Sequence, residues 1–296
     1  MKRKFFSSDD ISGYILIAPF FAFFIIFVII PVFYNIFQSF TNATGLTADA
    51  EFIFFDNYIN LFKDEIFIKA MLNTLIFCVL SVFPLIFLGL AAAVALNSKI
   101  KPVIAARAVI VFPYIASVVA ISMIWLLMFD PNNGILNKIM DAMGLPYQKW
   151  LLDKNLALLC LVFVNIWKNI GYVMLIYLAG LQTIPAQLYE AAKIDGAKPF
   201  RILFKITLPM LKPITIFVFI TIIIESFKTF DQVRVMTNGG PLSSTTTVVH
   251  QIYLKAFSEN KYGYAAAMSV ILLIIIFTVT LFNMRLTGLS RSGKRV

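Results

Sequence analysis

The chain has 296 residues, 60 % of them hydrophobic and only 14 % charged, with a formal net charge of +10. A water-soluble domain is about 45–50 % apolar and about 25 % charged, so an ordinary soluble globular protein is excluded. The two cysteines, Cys78 and Cys160, both fall inside apolar runs, which argues for small buried hydrophobes rather than a disulfide framework.

No Asp, Glu, Lys or Arg occurs from Ile11 to Ala48, from Ala70 to Ser98, from Ala108 to Phe129, or from Tyr262 to Met284. Each run supplies the roughly 20 apolar residues that a bilayer-crossing helix requires. The basic start, Met1-Lys2-Arg3-Lys4, resembles the opening of a signal peptide, but no small-residue cleavage site follows, so the first run is read as a retained span. Six spans are predicted: Gly13–Ile36, Leu72–Leu96, Ala105–Phe129, Leu156–Gly180, Met210–Phe230 and Tyr264–Met284. The fold class is an all-α membrane protein with six transmembrane helices. The runs lack the period-two alternation of barrel strands and are about twice as long. Pro19, Pro31 and Pro84 lie in or beside spans, where bilayer helices tolerate proline.

With a cytoplasmic N-terminus, the inner segments hold 15 Lys and Arg and the outer ones 8, with Lys168 and Lys228 in or near spans. This asymmetry predicts that both termini are cytoplasmic. The basic charge is then topological, and no nucleic-acid partner is implied. The expected organisation is a cytoplasmic tail, 1–12, a permease domain, 13–284, and a basic cytoplasmic tail, 285–296. Outside, Asp49–Lys69 forms a mixed aromatic and acidic loop, and Asp130-Pro131-Asn132-Asn133-Gly134 is dense in turn formers. Thr237-Asn238-Gly239-Gly240-Pro241 is another turn, leading into Ser243–Lys255. There Val248, Val249, Ile252, Tyr253, Ala256 and Phe257 recur at helical spacing, predicting a short amphipathic surface helix with His250 exposed or packed on it.

The cytoplasmic loop 181–209 is polar, basic and helix-prone. Thr183 and Pro185 read as a helix opening, Gly196 as the left-handed residue that stops that helix, and Pro199 as the start of a second helix reaching Leu208. Pro209 marks the turn into the fifth span. Leu188, Ala191 and Ala192 share a shallow side, with Glu190 beside them as an anion. Phe200, Leu203, Phe204 and Thr207 cluster opposite a basic edge of Lys198, Arg201 and Lys205. Such an edge suits lipid headgroups or an acidic partner.

In the fourth span Asn165, Lys168, Asn169 and Tyr172 fall on one helical face. A lysine at mid-membrane costs about 2.5–3.5 kcal/mol on insertion scales, so it faces protein or a watery cavity. Either Lys168 pairs with a carboxylate such as Glu225 or Asp231 for assembly, or it snorkels, or this face meets a solute. Amides beside an aromatic ring suit the hydroxyls and C–H surfaces of a sugar, and Glu225, Ser226 and Thr229 share a face that completes such a site. Trp167, on the opposite side, reads as a packing residue. No catalytic or metal-ligand motif is present: H-E-x-x-H, G-x-S-x-G and clustered Cys/His sets are absent.

Glu190-Ala191-Ala192, then Gly196, then Ile206, Leu208 and Pro209 resembles the signature of binding-protein-dependent ABC importer permeases. Tyr14-Ile15-Leu16-Ile17-Ala18-Pro19, Asp195-Gly196-Ala197 and Thr237-Asn238-Gly239-Gly240-Pro241 are similar to the carbohydrate importers of the maltose and glycerol-3-phosphate type. The resemblance implies a type I importer permease fold in the cell membrane. It implies a second, different permease subunit, two cytoplasmic ATPase subunits and an extracellular solute-binding protein as partners. Glu190, Ala191, Ala192, Asp195, Gly196, Ile206, Leu208 and Pro209 would form the element that couples to the ATPase. The chain has no G-x-x-x-x-G-K-[ST] loop, and Gly293-Lys294 lacks the spacing for one. ATP and Mg then belong to the partner ATPase, with no cofactor on this chain. In maltose-type relatives the sugar site lies on the fourth and fifth core spans, where Lys168 is a charged departure. Rival readings are the same machine carrying glycerol-3-phosphate, with Lys168 or Arg234 on the phosphate, and an ion-coupled secondary transporter.

Overall fold

The computed structural model describes residues 8–45, 50–98 and 100–286. The topological charges Lys2, Arg3, Lys4, Lys99, Arg291, Lys294 and Arg295, and the tail residue Gly293, lie outside the described residues, as does Asp49. Among the described residues there is no strand; the isolated bridges Thr41↔Phe52 and Thr44↔Lys261 are the extended pairings.

In chain order the helices are α1 (Ser8–Phe24), α2 (Ile30–Gln38), α3 (Asp56–Leu61), α4 (Glu65–Ala95), α5 (Lys101–Ile115), α6 (Val118–Met128), α7 (Ile135–Ala142), α8 (Ala157–Gln182), α9 (Ala186–Ile194), α10 (Pro199–Ile202), α11 (Leu208–Met210), α12 (Lys212–Phe227), α13 (Asp231–Met236), α14 (Val248–Tyr253) and α15 (Tyr262–Leu286). π-helical turns at Ile25–Ile29 and Leu203–Thr207 join α1 to α2 and α10 to α11. Each ends two residues before a proline, Pro31 or Pro209. A proline cannot donate to the carbonyl four residues back and its ring crowds that carbonyl. The helix answers by widening one turn rather than breaking.

Four helical stretches are long and apolar enough to cross a membrane: Gly13–Gln38, Glu65–Ala95, Ala157–Gln182 and Tyr262–Arg285. Two further pairs qualify only when joined, α5 with α6 across a 97° bend, and Pro199–Met210 with α12 across a 66° bend. Counting each pair as one broken span gives six. The third predicted span, Ala105–Phe129, is therefore corrected from a continuous helix to a broken one. Ala116 and Ser117 are extended, with ψ of 150° and 134°. The fifth, Met210–Phe230, is continuous as α12, but the turn into it is corrected: the helix runs through Pro209 and bends at Leu211 instead. The second span begins at Glu65 rather than Leu72, because Asp64 caps it, accepting from the Ile66 and Phe67 amides at 2.9 and 3.2 Å. Its 31 residues make a helix about 46 Å long, more than a hydrocarbon core of about 30 Å can cover.

The chain divides into two compact units. One holds Met1–Lys63 and Ile252–Leu273. Its loop is organised by Asn57, whose buried amide donates to the Ser39 and Thr41 carbonyls at 2.9 and 2.8 Å. Glu259 bridges Lys255 and Lys261 at 2.8 Å each, and those two cations hold its carboxyl below the ordinary carboxylate range.

The other unit holds Asp64–Gln251 and Ile274–Val296, with α4 packed along α8 and α5 and α12 against α8. The buried stripe of α4 includes Ala70, Thr74, Cys78, Ser81 and Gly89, small residues that let helix backbones approach closely. Gly171 of α8 performs the same service for α5. A Cβ there would stand 2.7 Å from the Val111 Cα and inside the Ile110 carbonyl. Trp167 meets Trp125 edge-on at 5.4 Å, the packing role expected of it.

Candidate functional site

All seven residues expected to face a solute, Asn165, Lys168, Asn169, Tyr172, Glu225, Ser226 and Thr229, line one cavity of about 420 Å³. Helical spacing on α8 and the last turn of α12 brings six of them together, and Thr229 joins them from the turn just beyond α12. Asn169 donates to the Asn165 carbonyl and side-chain oxygens at 2.9 and 2.8 Å, which orders the two amides as a pair. Tyr172 stacks on Tyr114 of α5, with centroids 4.7 Å apart and rings 20° from parallel. The cavity wall thus combines amides, hydroxyls and an aromatic face.

Lys168 makes no ion pair with Glu225 or Asp231. Its ammonium donates to the Tyr114 carbonyl at 3.1 Å and lies 5.2 Å from the centre of the Tyr114 ring. Glu225 pairs instead with Lys228 at 3.5 Å, three residues on at the C-cap of α12. Tyr114, Lys228, Asp231 and Gln232 also line the cavity, and sequence reasoning placed none of them in the solute site. Lys228 and Asp231 sit just beyond the end of α12, where the polar sequence was visible but its direction was not. Tyr114 gave no signal, because it lies in an unbroken apolar run on another span.

The hairpin 181–209 bends where expected. Gly196 is left-handed, with φ of +70°. The Ala197 amide donates to the Ala192 carbonyl at 2.9 Å and the Gly196 amide to the Lys193 carbonyl at 3.1 Å. That pair of bonds is a Schellman ending, with Asp195 as the C-cap. Ala192, Asp195 and Ile206 line a groove of about 240 Å³ between the arms, with Arg201 and Lys205 at its basic edge. Glu190, Ala191 and Pro209 are exposed and Leu208 is half-buried, outside that groove. Ile194 and Phe200 beside the corner are 87 % and 77 % exposed.

Two local expectations are corrected. Thr183 does not cap α9; its hydroxyl donates to the Gly180 carbonyl at 2.8 Å, closing α8, and Pro185 stands at the N-cap. Thr207 does not cluster with Phe200 and Phe204: it is buried while both rings are exposed. The extra residue in the π turn rotates the positions after Leu203 off the face that α-helical spacing predicts.

The segment after Thr237 also differs from expectation. Residues 243–247 are not helical, and His250 is 1 % exposed rather than at the surface. Gln251 donates to the Thr246 hydroxyl at 2.8 Å, Thr246 meets His250 Nδ1 at 3.1 Å, and His250 Nε2 meets Asn238 at 3.4 Å. Because Gln251 donates to the Thr246 hydroxyl, that hydroxyl can give its own proton to Nδ1, and the Asn238 side-chain oxygen accepts at the other end, so the chain of bonds suits a neutral imidazole with its hydrogen on Nε2. Burial, then the Arg234 charge, push the His250 pKa down. Asn73 of α4 fastens the same loop, donating to the Ser243 and Thr246 carbonyls at 3.1 and 3.0 Å.

Residues 86–287 match the family described as binding-protein-dependent transport system inner membrane component. A probable ABC transporter permease protein of Pyrococcus horikoshii is 36 % identical over 86 % of this chain and 88 % of its own. A diacetylchitobiose uptake system permease protein of Streptomyces coelicolor is 35 % identical over 90 % of this chain and 80 % of its own. The sn-glycerol-3-phosphate transport system permease protein of Agrobacterium fabrum is 33 % identical over 94 % of both. A chain in the crystal structure of a bacterial alginate ABC transporter, bound to an alginate-loaded periplasmic protein, superposes with a TM-score of 0.84 over 94 % of each chain, at 22 % identity. That likeness bears on the fold. The family model covers more than half of the chain and these relatives exceed 30 % identity over most of it: the chain belongs to the binding-protein-dependent transport system inner membrane components, the permeases of ABC importers.

Proposed function

We propose that the chain is the permease subunit of an ATP-driven importer of a neutral mono- or oligosaccharide. The observation that carries this reading is the cavity itself, where the Asn165–Asn169 amide pair and the stacked Tyr114–Tyr172 rings share a wall. Paired amides match sugar hydroxyls, and aromatic faces match sugar C–H surfaces. Lys168, Glu225, Ser226 and Thr229 complete the path. Two cations, Lys168 and Lys228, are balanced by two carboxylates, Glu225 and Asp231, around that cavity. A formally neutral lining favours an uncharged sugar over glycerol-3-phosphate, whose dianion would meet two carboxylates.

In this reading both termini are cytoplasmic, 13–284 is the permease domain, and the hairpin 181–209 seats in a groove of a cytoplasmic ATPase subunit. Glu190 and the shallow Ala191–Ala192 side meet the ATPase, and Gly196 with Ile206, Leu208 and Pro209 sets the bend. Exposed Ile194 and Phe200 supply apolar contact area for that partner. A second, different permease, two ATPase subunits holding ATP and Mg, and an extracellular solute-binding protein complete the machine. The test is reconstitution of the whole complex in proteoliposomes with its binding protein, followed by ATP-dependent uptake of neutral sugars, acidic sugars and glycerol-3-phosphate. Uptake of a neutral sugar that glycerol-3-phosphate fails to compete is expected; uptake that survives without ATP would sink the reading.

A further inference from the structure

The broken third span presents a problem that the chain must solve locally. A helix end leaves its last carbonyls without donors, and at a break inside a membrane span they are met by neighbouring side chains or by the cavity they line. The C-cap residues of α4, α8 and α12 each donate a backbone N–H back into their helix. The C-cap of α5, Ala116, is extended at ψ 150° and makes no such bond. Pro113 withholds a further donor, from the Val109 carbonyl one turn earlier, which loosens the same end of the helix.

The donor that does arrive comes from 54 residues along the chain: Lys168 Nζ, 3.1 Å from the Tyr114 carbonyl. A cation at a helix C-terminus is favoured by the aligned peptide dipoles as well as by the hydrogen bond. The same ammonium lies over the Tyr114 ring at 5.2 Å, and Tyr172, one turn further along α8, stacks on that ring. Gly171, between them, lets α8 approach α5 closely enough for both contacts. Residues 168 to 172 of α8 therefore grip one residue of the broken helix by its carbonyl and its ring together.

We propose that Lys168 is a positioning residue that caps the broken end of α5 and fixes Tyr114 as a wall of the translocation cavity. It then explains the charged departure on the solute-facing side of α8 without a charged cargo. The proposal rests on the reading of that cavity as the transport path, but its own test needs no transport and no solute. In the assembled complex, with Cys78 and Cys160 replaced by alanine, a Ser117→Cys reporter at the exposed break is labelled with a maleimide in the absence of sugar. Loss of a charge-assisted cap predicts that Lys168→Met speeds labelling about tenfold or more, and that Lys168→Arg restores the slow rate. Lys168→Gln, which keeps a donor but loses the charge, is expected between them and carries the test if the methionine variant does not assemble. Labelling of the Met or Gln variant at the rate of the Arg variant would overturn the cap. A residue that served only to bind solute would leave these rates unchanged while raising the KM for uptake. Failure of uptake in the parent complex, by contrast, counts against the sugar reading alone.

Discussion

Replacing Gly196 isolates the conformational requirement of the hairpin corner. The residue has φ of +70°, and nothing lies within 4 Å of the place where a Cβ would stand. A side chain there meets open space, so any cost comes from the backbone. An L-residue held left-handed costs about 1–2 kcal/mol, asparagine being the best tolerated after glycine. The corner could relax instead, but relaxation gives up the Ala197–Ala192 and Gly196–Lys193 hydrogen bonds, together about 2 kcal/mol at a net value near 1 each. Both routes converge on about 1–2 kcal/mol, a factor of about 5–30 in the population of the closed corner. Hydrogen–deuterium exchange of the peptide spanning Ala197 in the purified protein reads that population. Exchange should quicken in the order Gly, Asn, Ala, Val, with ATP-driven uptake by the reconstituted complex falling in the same order. Wild-type exchange in the valine variant would refute the claim that a left-handed corner holds the hairpin.

Gly171→Ala should lower the unfolding temperature, because the new methyl meets the Ile110 and Val111 backbone, which cannot swing aside; overpacking of this kind costs about 1–3 kcal/mol, and an unchanged thermal scan in detergent would contradict the close approach. Glu190→Lys reverses an exposed charge on the hairpin and is expected to abolish uptake while leaving membrane insertion and the yield of folded protein intact; normal uptake would remove Glu190 from the coupling contact. Because burial and Arg234 hold the folded His250 pKa below its ordinary 6.5, the unfolded chain takes up a proton first as pH falls. Stability should then decline below about pH 6.5 until the lowered folded value is reached, and His250→Gln should flatten that decline in thermal scans. Glu259 works in a separate window: its carboxyl is held below 4.5, so the stability it contributes is present above that pH and lost as pH falls through the folded value.

What depends on neighbours within a few residues was readable from the residue order. The spans Gly13–Ile36, Leu156–Gly180 and Tyr264–Met284 lie within two residues of the stretches long and apolar enough to cross a membrane, because a long, predominantly apolar run has only one low-energy form in a bilayer. Gly196 was identifiable as a corner because its conformation is a local property of a residue without a Cβ. The shared face of Asn165, Lys168, Asn169 and Tyr172 followed from helical periodicity; Glu225, Ser226 and Thr229 line the same cavity, but Thr229 does so from beyond the end of α12 rather than from a helical face.

What depends on another helix was not readable. The run Ala108–Phe129 holds no charge, and its Pro113 and Ser117 are residues that bilayer helices often carry without breaking, yet it turns by 97° where α8 brings Gly171 and Lys168 against it. His250 looked like a surface residue because its own helix is amphipathic, and it is buried because Asn238, Gly239 and Thr246 close over it. Lys168 had two candidate partners of opposite charge and took neither, accepting a backbone carbonyl as its partner instead. Periodicity says which side chains point the same way; it says nothing of the unsatisfied peptide group waiting opposite them, and here that group, the Tyr114 carbonyl at the broken end of α5, takes the half-buried Lys168 ammonium.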